Sequence, residues 1–318
     1  DVTTTSLNAA LDTSQSLARL QVQPIMGRAG ILMADVALLS KDLAGRSHVV
    51  TGANSGIGLS TVKQLAKQGA EVFLCARKLD VATKLALEIS NEYCKENGGS
   101  VKPMQLDLAS LESVRAFAKK FTQENTKLDV LVNNAGVMNT PKTAKTKEGF
   151  EMQFGVCHLG HFLLTLLLKD VLAKGTAPRI VNVSSCFHIN AQGNIGHIDF
   201  EDLNFETRPF DGWVAYAQCK LANVLFSKEL SKRWADVGIT AVSLHPGFVK
   251  SNLINNTVPK WLQWLVNPYL TWSTGMVQPW QGVQTHLHCI LAPTLENGAY
   301  YSQNASPTGT KGGWPLSS

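Results

Sequence analysis

The sequence lacks an apolar run long enough to cross a lipid bilayer as a helix, which takes about 20 residues. The longest candidate, Leu159–Leu172, is too short and contains His161, Lys169 and Asp170, so we interpret it as a buried core helix. Runs of Lys and Arg interleaved with aromatic residues are also absent, and the net charge of +5 is scattered. We therefore expect no transmembrane helix and no nucleic-acid binding.

Cysteine is sparse, and none of the six cysteines belongs to a CxxC motif. This pattern argues against a metal site or a disulfide framework and favours reduced thiols. The six are Cys75, Cys94, Cys157, Cys186, Cys219 and Cys289. With 318 residues, of which 44% are hydrophobic, the chain can fill one large α/β domain or two small ones.

Acidic residues are few in residues 1–44, an N-terminal extension rich in Ser, Thr, Ala and Gln. Two interpretations stay open. The segment is a solvated extension, or it is the remainder of a processed organelle-targeting peptide or an arm that binds a partner. Under the second interpretation we favour the plastid over the mitochondrion, with the cytoplasm as the alternative location.

From Ser47 onward, short β-rich runs alternate with helical segments, which predicts a mostly parallel sheet covered by helices on both faces. The predicted strands are residues 47–51, 71–76, 101–106, 128–132, 179–184, 239–244 and 300–303. The predicted helices are residues 59–68, 81–97, 111–123, 150–173 and 214–237. Because no repeat or linker interrupts the pattern, we expect one doubly wound α/β domain over residues 45–318.

A glycine-rich turn, Thr-Gly-Ala-Asn-Ser-Gly-Ile-Gly at residues 51–58, follows the first predicted strand and opens a helix. Its glycines permit a tight turn and let backbone amides approach a pyrophosphate, while the helix N-terminus adds further amides. In this strand–turn–helix context the turn predicts a dinucleotide site. The residues that we assign to it are Gly52, Asn54, Ser55, Gly56, Ile57 and Gly58.

The end of the second predicted strand carries no acidic residue; Arg77 and Lys78 follow it instead. An acid at this point would bind the ribose hydroxyls of NAD and repel a 2′-phosphate, whereas Arg77 can bind that phosphate. The sequence therefore favours NADP(H). The competing interpretation is that both basic residues are solvated loop charges.

Tyr216 and Lys220 stand four residues apart, which places them on one face of a helix. A nearby ammonium favours the phenolate and lowers the pKa of the tyrosine. The pair is therefore a candidate proton donor and acceptor for the interconversion of a hydroxyl and a carbonyl.

These motifs occur together with Asn133-Asn134-Ala135-Gly136, Ile180-Val181-Asn182-Val183-Ser184-Ser185 and His245-Pro246-Gly247. In this order they resemble the short-chain dehydrogenase/reductase family, from about residue 45 onward. Residues 154–162 and 216–223 are similar to its retinol dehydrogenase-like branch. The resemblance implies a single Rossmann-type domain and a nicotinamide cofactor.

The resemblance also implies roles for individual residues. Tyr216 would be the general acid/base, Lys220 would lower its pKa and hold the nicotinamide ribose, and Ser185 would bind the substrate oxygen. Both Tyr216 and Lys220 would also contact the cofactor. Further cofactor contacts would come from Asp107, Leu108, Asn133, Ala135, Gly136, Pro246, Gly247 and Val249.

Cys157 stands where the family commonly has a catalytic asparagine, and Cys219 stands where Ser is usual. A thiol is a poor hydrogen-bond donor and acceptor, so it holds a relay water badly. Three interpretations of Cys157 stay open: an inert buried thiol in an enzyme that tolerates the change, a mark of an enzyme retired into a binding role, or a redox-sensitive thiol.

Residues 250–282, which cover the substrate in this family, are rich in large apolar side chains. They include Trp261, Trp264, Tyr269, Trp272 and Trp280. This Trp-rich segment is interpreted as a lid over the core, the wall of an apolar substrate pocket, a membrane-surface patch or a protein contact.

The leading hypothesis is an NADP(H)-dependent oxidoreductase that interconverts a carbonyl and an alcohol on an apolar small molecule. The alternative is a weakly active or inactive dehydrogenase-fold subunit of a larger, organellar assembly. That alternative rests on Cys157, on the extension at residues 1–44 and on the Trp-rich segment.

Overall fold

A computed structural model describes residues 34–191, 194–250 and 277–302. Most of the N-terminal extension, residues 251–276 of the Trp-rich segment, and the chain after residue 302 lie outside these described ranges. The expectations placed on those parts of the chain therefore stay predictions.

The centre of the molecule is a seven-stranded sheet in the order β3-β2-β1-β4-β5-β8-β9, in which every pairing is parallel. Its strands are β1 (Ser47–Thr51), β2 (Glu71–Ala76), β3 (Ser100–Gln105), β4 (Val130–Asn133), β5 (Arg179–Val183), β8 (Thr240–His245) and β9 (Tyr300–Ser302). A separate antiparallel pair consists of β6 (Asn190–Ala191) and β7 (Asn194–Ile195). The doubly wound parallel sheet predicted from the sequence is confirmed.

Helices cover both faces of the sheet. They are α1 (Val36–Leu39), α2 (Gly56–Lys67), α3 (Leu79–Ile89), α4 (Leu111–Glu124), α5 (Met152–Phe154), α6 (Gly160–Leu167), α7 (Lys169–Leu172), α8 (Gly212–Arg233) and α9 (Pro279–Leu291). On one face, α2, α3 and α9 pack a core that includes Leu65, Ala82 and Leu287. On the other face, α4, α6 and α8 pack around Phe121 and Leu164.

The prediction of one continuous helix over residues 150–173 is wrong. A π-helical turn, Gly155–Leu159, separates α5 from α6, and Leu168 ends α6 with φ −97° and ψ 4°. The carbonyl of Cys157 accepts hydrogen bonds from His161 Nδ1 at 3.1 Å and Asn223 Nδ2 at 3.1 Å. Side chains that bind a helix carbonyl in this way interrupt the regular ladder.

The same apolar run is not wholly buried, since Phe162 is 38% and Leu166 is 43% exposed. Within the described ranges, no helix combines the length and the apolar character needed to span a membrane.

Helix α9 was not predicted. Pro279 occupies its first turn, and Gln278 and Gln281 form a reciprocal capping box. These are sequence signals of a helix start, and the apolar residues Val283 and Leu287 that follow one turn apart lie in the core.

Residues 34–44 pack on the domain and do not extend from it. Ala34 and Leu43 belong to the core, and the Ala34 amide donates to Gln284 Oε1 at 3.1 Å. Gln68 Nε2 donates to the carbonyls of Leu38 and Lys41 at 2.8 and 2.9 Å. This part of the N-terminal extension therefore contacts the domain predicted over residues 45–318.

A buried carboxylate ties together the amino ends of three central strands. Asp129 accepts hydrogen bonds from the amides of Ser47 at 2.7 Å and Thr176 at 2.5 Å, and Arg46 pairs with it at 3.5 Å. Burial alone would raise the pKa of Asp129, but the amides of Ser47 and Thr176 and the charge of Arg46 outweigh it, so the pKa is lowered.

Asp129→Asn is expected to lower the free energy of unfolding by about 2–4 kcal/mol. The side-chain NH₂ group of asparagine is a hydrogen-bond donor and would face the N–H groups from which the carboxylate now accepts. Urea unfolding followed by circular dichroism measures this change. The exposed Asp236 provides a matched control, Asp236→Asn, expected to change stability by less than about 0.5 kcal/mol. Equal losses in both variants would contradict the bracing role of Asp129.

Candidate active site

A cleft of about 850 Å³ lies at the carboxyl ends of the central strands. The predicted site residues that line it are Gly52, Asn54, Ser55, Gly56, Ile57, Gly58, Arg77, Asp107, Leu108, Ala135, Gly136, Ser185, Tyr216, Lys220, Pro246, Gly247 and Val249. The exception is Asn133, which is 1% exposed and donates to Thr165 Oγ1 at 3.0 Å and Asn182 Oδ1 at 2.8 Å. It lies beneath the cleft, because its side chain points to the face of the sheet that α6 covers. Its neighbour Asn134 lines the cleft instead.

The glycine-rich turn is packed so closely that two of its positions leave no room for a side chain. Gly52 has φ +63°, and a Cβ there would lie 2.7 Å from the Cα of Ala135. A Cβ on Gly58 would lie 2.6 Å from both the Gly52 carbonyl and Asn134 Nδ2. At Ser55, the N-cap of α2, no side-chain capping bond forms, so its hydroxyl does not compete for the amides of the first helical turn.

The hydroxyl of Thr51 joins this turn to the loop after β4. Thr51 Oγ1 accepts hydrogen bonds from the amides of Asn134 and Ala135, both at 2.9 Å. His161 Nε2 lies 2.8 Å from the same oxygen, and His161 Nδ1 faces the Cys157 carbonyl. Burial lowers the pKa of His161 to about 3, so the ring is neutral, carries its hydrogen on Nδ1 and accepts from Thr51.

Ser185, Tyr216 and Lys220 meet on one wall of the cleft, and all three are buried. The Ser185 hydroxyl acts on Tyr216 by lowering its pKa, and Ser185 Oγ accepts a hydrogen bond from the Phe187 amide at 3.3 Å. Lys220 Nζ lies 5.4 Å from the centre of the Tyr216 ring and donates to the Val183 carbonyl at 3.0 Å. The hydroxyl of Ser184 donates to the Lys220 carbonyl at 2.7 Å, which ties α8 to the end of β5.

The sequence predicted that Lys220 lowers the pKa of Tyr216, and the structure shows the opposite direction. Burial raises the pKa of Tyr216 well above its ordinary value, and the thiols of Cys157, Cys219 and Cys186 raise it further. The Ser185 hydroxyl lowers the pKa of Tyr216 but does not reverse this rise. Desolvation of the phenolate therefore decides the direction of the shift.

Cys157, at the position of the usual asparagine, is fully buried behind the cleft. Asn223 Nδ2 bridges the carbonyls of Cys157 and Val183, both at 3.1 Å, and Asn223 Oδ1 faces His158 Nδ1 at 3.0 Å. The backbone at residue 157 is thus held by Asn223 and by the π-helical turn.

A family model described as short chain dehydrogenase matches residues 46–196. Human retinol dehydrogenase 11 is 42% identical over 275 residues, which cover 86% of this chain and 81% of that protein. Human retinol dehydrogenase 12 is 43% identical over 263 residues, covering 82% and 78% respectively. The chain belongs to the short-chain dehydrogenase/reductase family. It lies in the retinol dehydrogenase-like branch.

The fold of this short-chain dehydrogenase agrees with solved structures. A short chain dehydrogenase from Burkholderia cenocepacia, solved in complex with NADP, superimposes with a TM-score of 0.64 at 21% identity, covering 82% of this chain and 97% of that one. At this level of identity the likeness supports the fold alone.

Several residues of this short-chain dehydrogenase line the cleft without having been predicted from the sequence. Phe187 and Trp213 stack with ring centres 5.3 Å apart, and Phe248 lies 6.4 Å from Phe187. His245 also lines the cleft, is 3% exposed and, among the described residues, has no hydrogen-bond partner on either ring nitrogen. The motif His245-Pro246-Gly247 was a usable signal for His245, whereas the aromatic residues lay in no motif.

The residues of the cleft fit a nicotinamide dinucleotide, the cofactor class of the family. Gly52 and Gly58 line the cleft, where the backbone amides of their turn can meet a pyrophosphate. Arg77 and Asp107 lie at the end that would hold the adenosine half, and Tyr216 and Lys220 lie at the opposite end. The imidazole of His245, which has no hydrogen-bond partner among the described residues, adds a polar group at the nicotinamide end.

Gly58→Ala is expected to destabilise this short-chain dehydrogenase by about 1–3 kcal/mol, because its Cβ would overlap the Gly52 carbonyl. It should also weaken dinucleotide binding, since the turn must shift to admit the methyl group. Thermal unfolding and fluorescence titration with NADPH measure the two effects. Ser60→Ala on the same helix is the control, and a fully stable, tightly binding Gly58→Ala protein would contradict the packing argument.

Proposed function

We propose that this short-chain dehydrogenase is an NADP(H)-dependent oxidoreductase that interconverts a carbonyl and an alcohol on an apolar substrate. The grouping of Ser185, Tyr216 and Lys220 on one wall of the cleft carries the proposal. A buried hydroxyl pair on the wall of a dinucleotide-type cleft can bind a substrate oxygen and move a proton to or from it.

In carbonyl reduction, Ser185 orients the substrate oxygen toward Tyr216, and the Tyr216 hydroxyl donates its proton to that oxygen. When bound, the nicotinamide supplies the hydride in reduction or accepts it in oxidation. Because the pKa of Tyr216 is raised, the phenol stays protonated at neutral pH and is ready to donate. In the oxidising direction the same group must first lose its proton, so alkaline pH favours alcohol oxidation.

The walls near the reacting groups support an apolar substrate. Phe187, Trp213 and Phe248 line the cleft around Tyr216, with Phe187 6.0 Å from the Tyr216 ring. Met138 and Met152 line it as well. Such walls favour a long hydrocarbon aldehyde or ketone over a sugar phosphate, in keeping with the retinol named for the relatives.

The charges at the other end of the cleft support NADP(H) over NAD(H). Arg77 and Lys78 both line the cleft directly after β2, and Arg77 is exposed to the solvent side, where its guanidinium can reach a 2′-phosphate. Its carbonyl accepts from Gln105 Nε2 at 3.2 Å, which holds the backbone of this residue in place. A planar guanidinium binds phosphate in a bidentate manner.

The alternative, a subunit without catalysis, has less support. Its main argument was the loss of the asparagine, yet the backbone at Cys157 is held by Asn223, and the pair of Ser185 and Tyr216 is intact. If the protein binds NADPH tightly but turns over no apolar carbonyl compound, that result would support the non-catalytic alternative.

Tyr216→Phe is expected to reduce turnover by about 10²–10⁴-fold and to leave NADPH affinity nearly unchanged, because it removes the proton donor but keeps the ring. NADPH oxidation with retinal as substrate, followed by absorbance, measures turnover. Tyr93→Phe, at a partly buried tyrosine outside the cleft, is the matched control. Full activity of the Tyr216→Phe protein would contradict the proposed mechanism.

Arg77→Ala is expected to raise the KM for NADPH by about 10–100-fold while changing the KM for NADH little, because a charge-assisted contact to the 2′-phosphate is worth about 1.5–3 kcal/mol. Steady-state kinetics with both cofactors measure the ratio. Lys84→Ala, which removes an exposed positive charge on α3, is the control. Equal effects on both cofactors would overturn the assignment of NADP(H).

A further inference from the structure

The two positions at which the sequence departs from the family pattern, Cys157 and Cys219, lie together in the fold. Both side chains are fully buried in one packed cluster, and each thiol shifts the pKa of the other. Cys157 lies on the π-helical turn, whereas Cys219 lies on α8 between Tyr216 and Lys220. Two changes that are distant in sequence therefore produce one thiol pair directly behind the proposed catalytic residues.

The backbone of Gly136 separates this thiol pair from the cleft. A Cβ placed on Gly136 would lie 3.5 Å from Cys157 Sγ and 3.7 Å from Lys220 Nζ. Gly136 itself lines the cleft and has no side chain to cover the sulfur. A small oxidant in the cleft therefore has a short path to Cys157, which a bound dinucleotide would block.

The surroundings make the two sulfurs chemically unequal. The Cys219 thiol and the charge of Lys220 lower the pKa of Cys157, against the effect of burial and of Glu151. Burial raises the pKa of Cys219 well above its ordinary value. Cys157 is therefore the nucleophilic sulfur, and Cys219 is the partner that keeps its proton.

The other cysteines lack this arrangement. Burial raises the pKa of Cys75 and of Cys289, and both lie in the core among apolar side chains. Cys186 packs against the cluster that holds the thiol pair, but burial raises its pKa to about 11. These residues supply matched controls of the same chemistry.

We propose that Cys157 and Cys219 are a redox modification site that forms a reversible intramolecular disulfide with a hydroperoxide. Cys157 sulfur attacks the peroxide, so that an S–O bond forms, the O–O bond breaks and one water (or alcohol) leaves. Cys219 sulfur then attacks the sulfenic acid, an S–S bond forms, and its proton leaves with the hydroxyl as water. Two thiols are oxidised by two electrons in total, and one peroxide is reduced.

The disulfide would disturb the proposed active site through α8. Cys219 is one residue before Lys220, and its Sγ lies 3.1 Å from the Tyr216 carbonyl. Drawing the two sulfurs to bonding distance pulls this turn of α8 toward the π-helical turn. A displacement of the order of 1 Å in catalytic groups costs about 10²-fold in rate.

The test treats the full chain with hydrogen peroxide and maps disulfides by mass spectrometry of non-reduced peptides. We expect a cross-link between residues 157 and 219, reversal by dithiothreitol, and slower formation with saturating NADP⁺ in the cleft. Cys219→Ser should form no cross-link and should leave a sulfenic acid at Cys157 that dimedone traps. Cys289→Ser should form the cross-link normally.

Cross-link mapping needs no turnover, so this result is readable even if the proposed function fails. The loss of activity rests on the proposed function: oxidation should lower retinal reduction at least about 10-fold in the unmodified chain and in Cys289→Ser, but not in Cys157→Asn. Both thiols remaining unmodified after peroxide treatment would overturn the site. A cross-linked protein that keeps full turnover would overturn its effect on catalysis.

Discussion

The hydroxyl of Thr51 is the contact on which the arrangement of the cleft depends. It accepts two amide hydrogens from the loop after β4 and donates to His161, whose other nitrogen holds the Cys157 carbonyl. One oxygen thereby fixes the glycine-rich turn, the floor of the cleft and the interrupted helix relative to one another. A side chain without both donor and acceptor capacity could not make all of these contacts.

A second constraint is the single positive charge of Lys220 in a buried site. Its ammonium donates to the Val183 carbonyl, lies near the Tyr216 ring and stabilises negative charge on Cys157. These demands compete, because a thiolate at residue 157 raises the pKa of Tyr216. In a protein with asparagine at that position the same lysine would serve the tyrosine without a competing anion nearby.

The sequence was sufficient for the sheet, the glycine-rich turn and the set of residues at the carboxyl edge, because these depend on local turn chemistry and strand alternation. It was insufficient where a distant residue decides the outcome. The break at Gly155–Leu159 depends on Asn223, which binds the Cys157 carbonyl. The side chain of Asn133 points away from the cleft and donates to Thr165. The raised pKa of Tyr216 follows from burial, which spacing to Lys220 does not reveal.

The residues that flank positions 251–276 are hydrogen-bonded to each other. The Lys250 amide donates to the Val277 carbonyl at 2.9 Å, and the Val277 amide donates to the Phe248 carbonyl at 2.8 Å. With the ends held together, the entropy of closing the intervening segment changes by only about 0.6 kcal/mol for each doubling of its length. Residues 251–276 can therefore vary in length and sequence at little cost to the framework that holds their two ends.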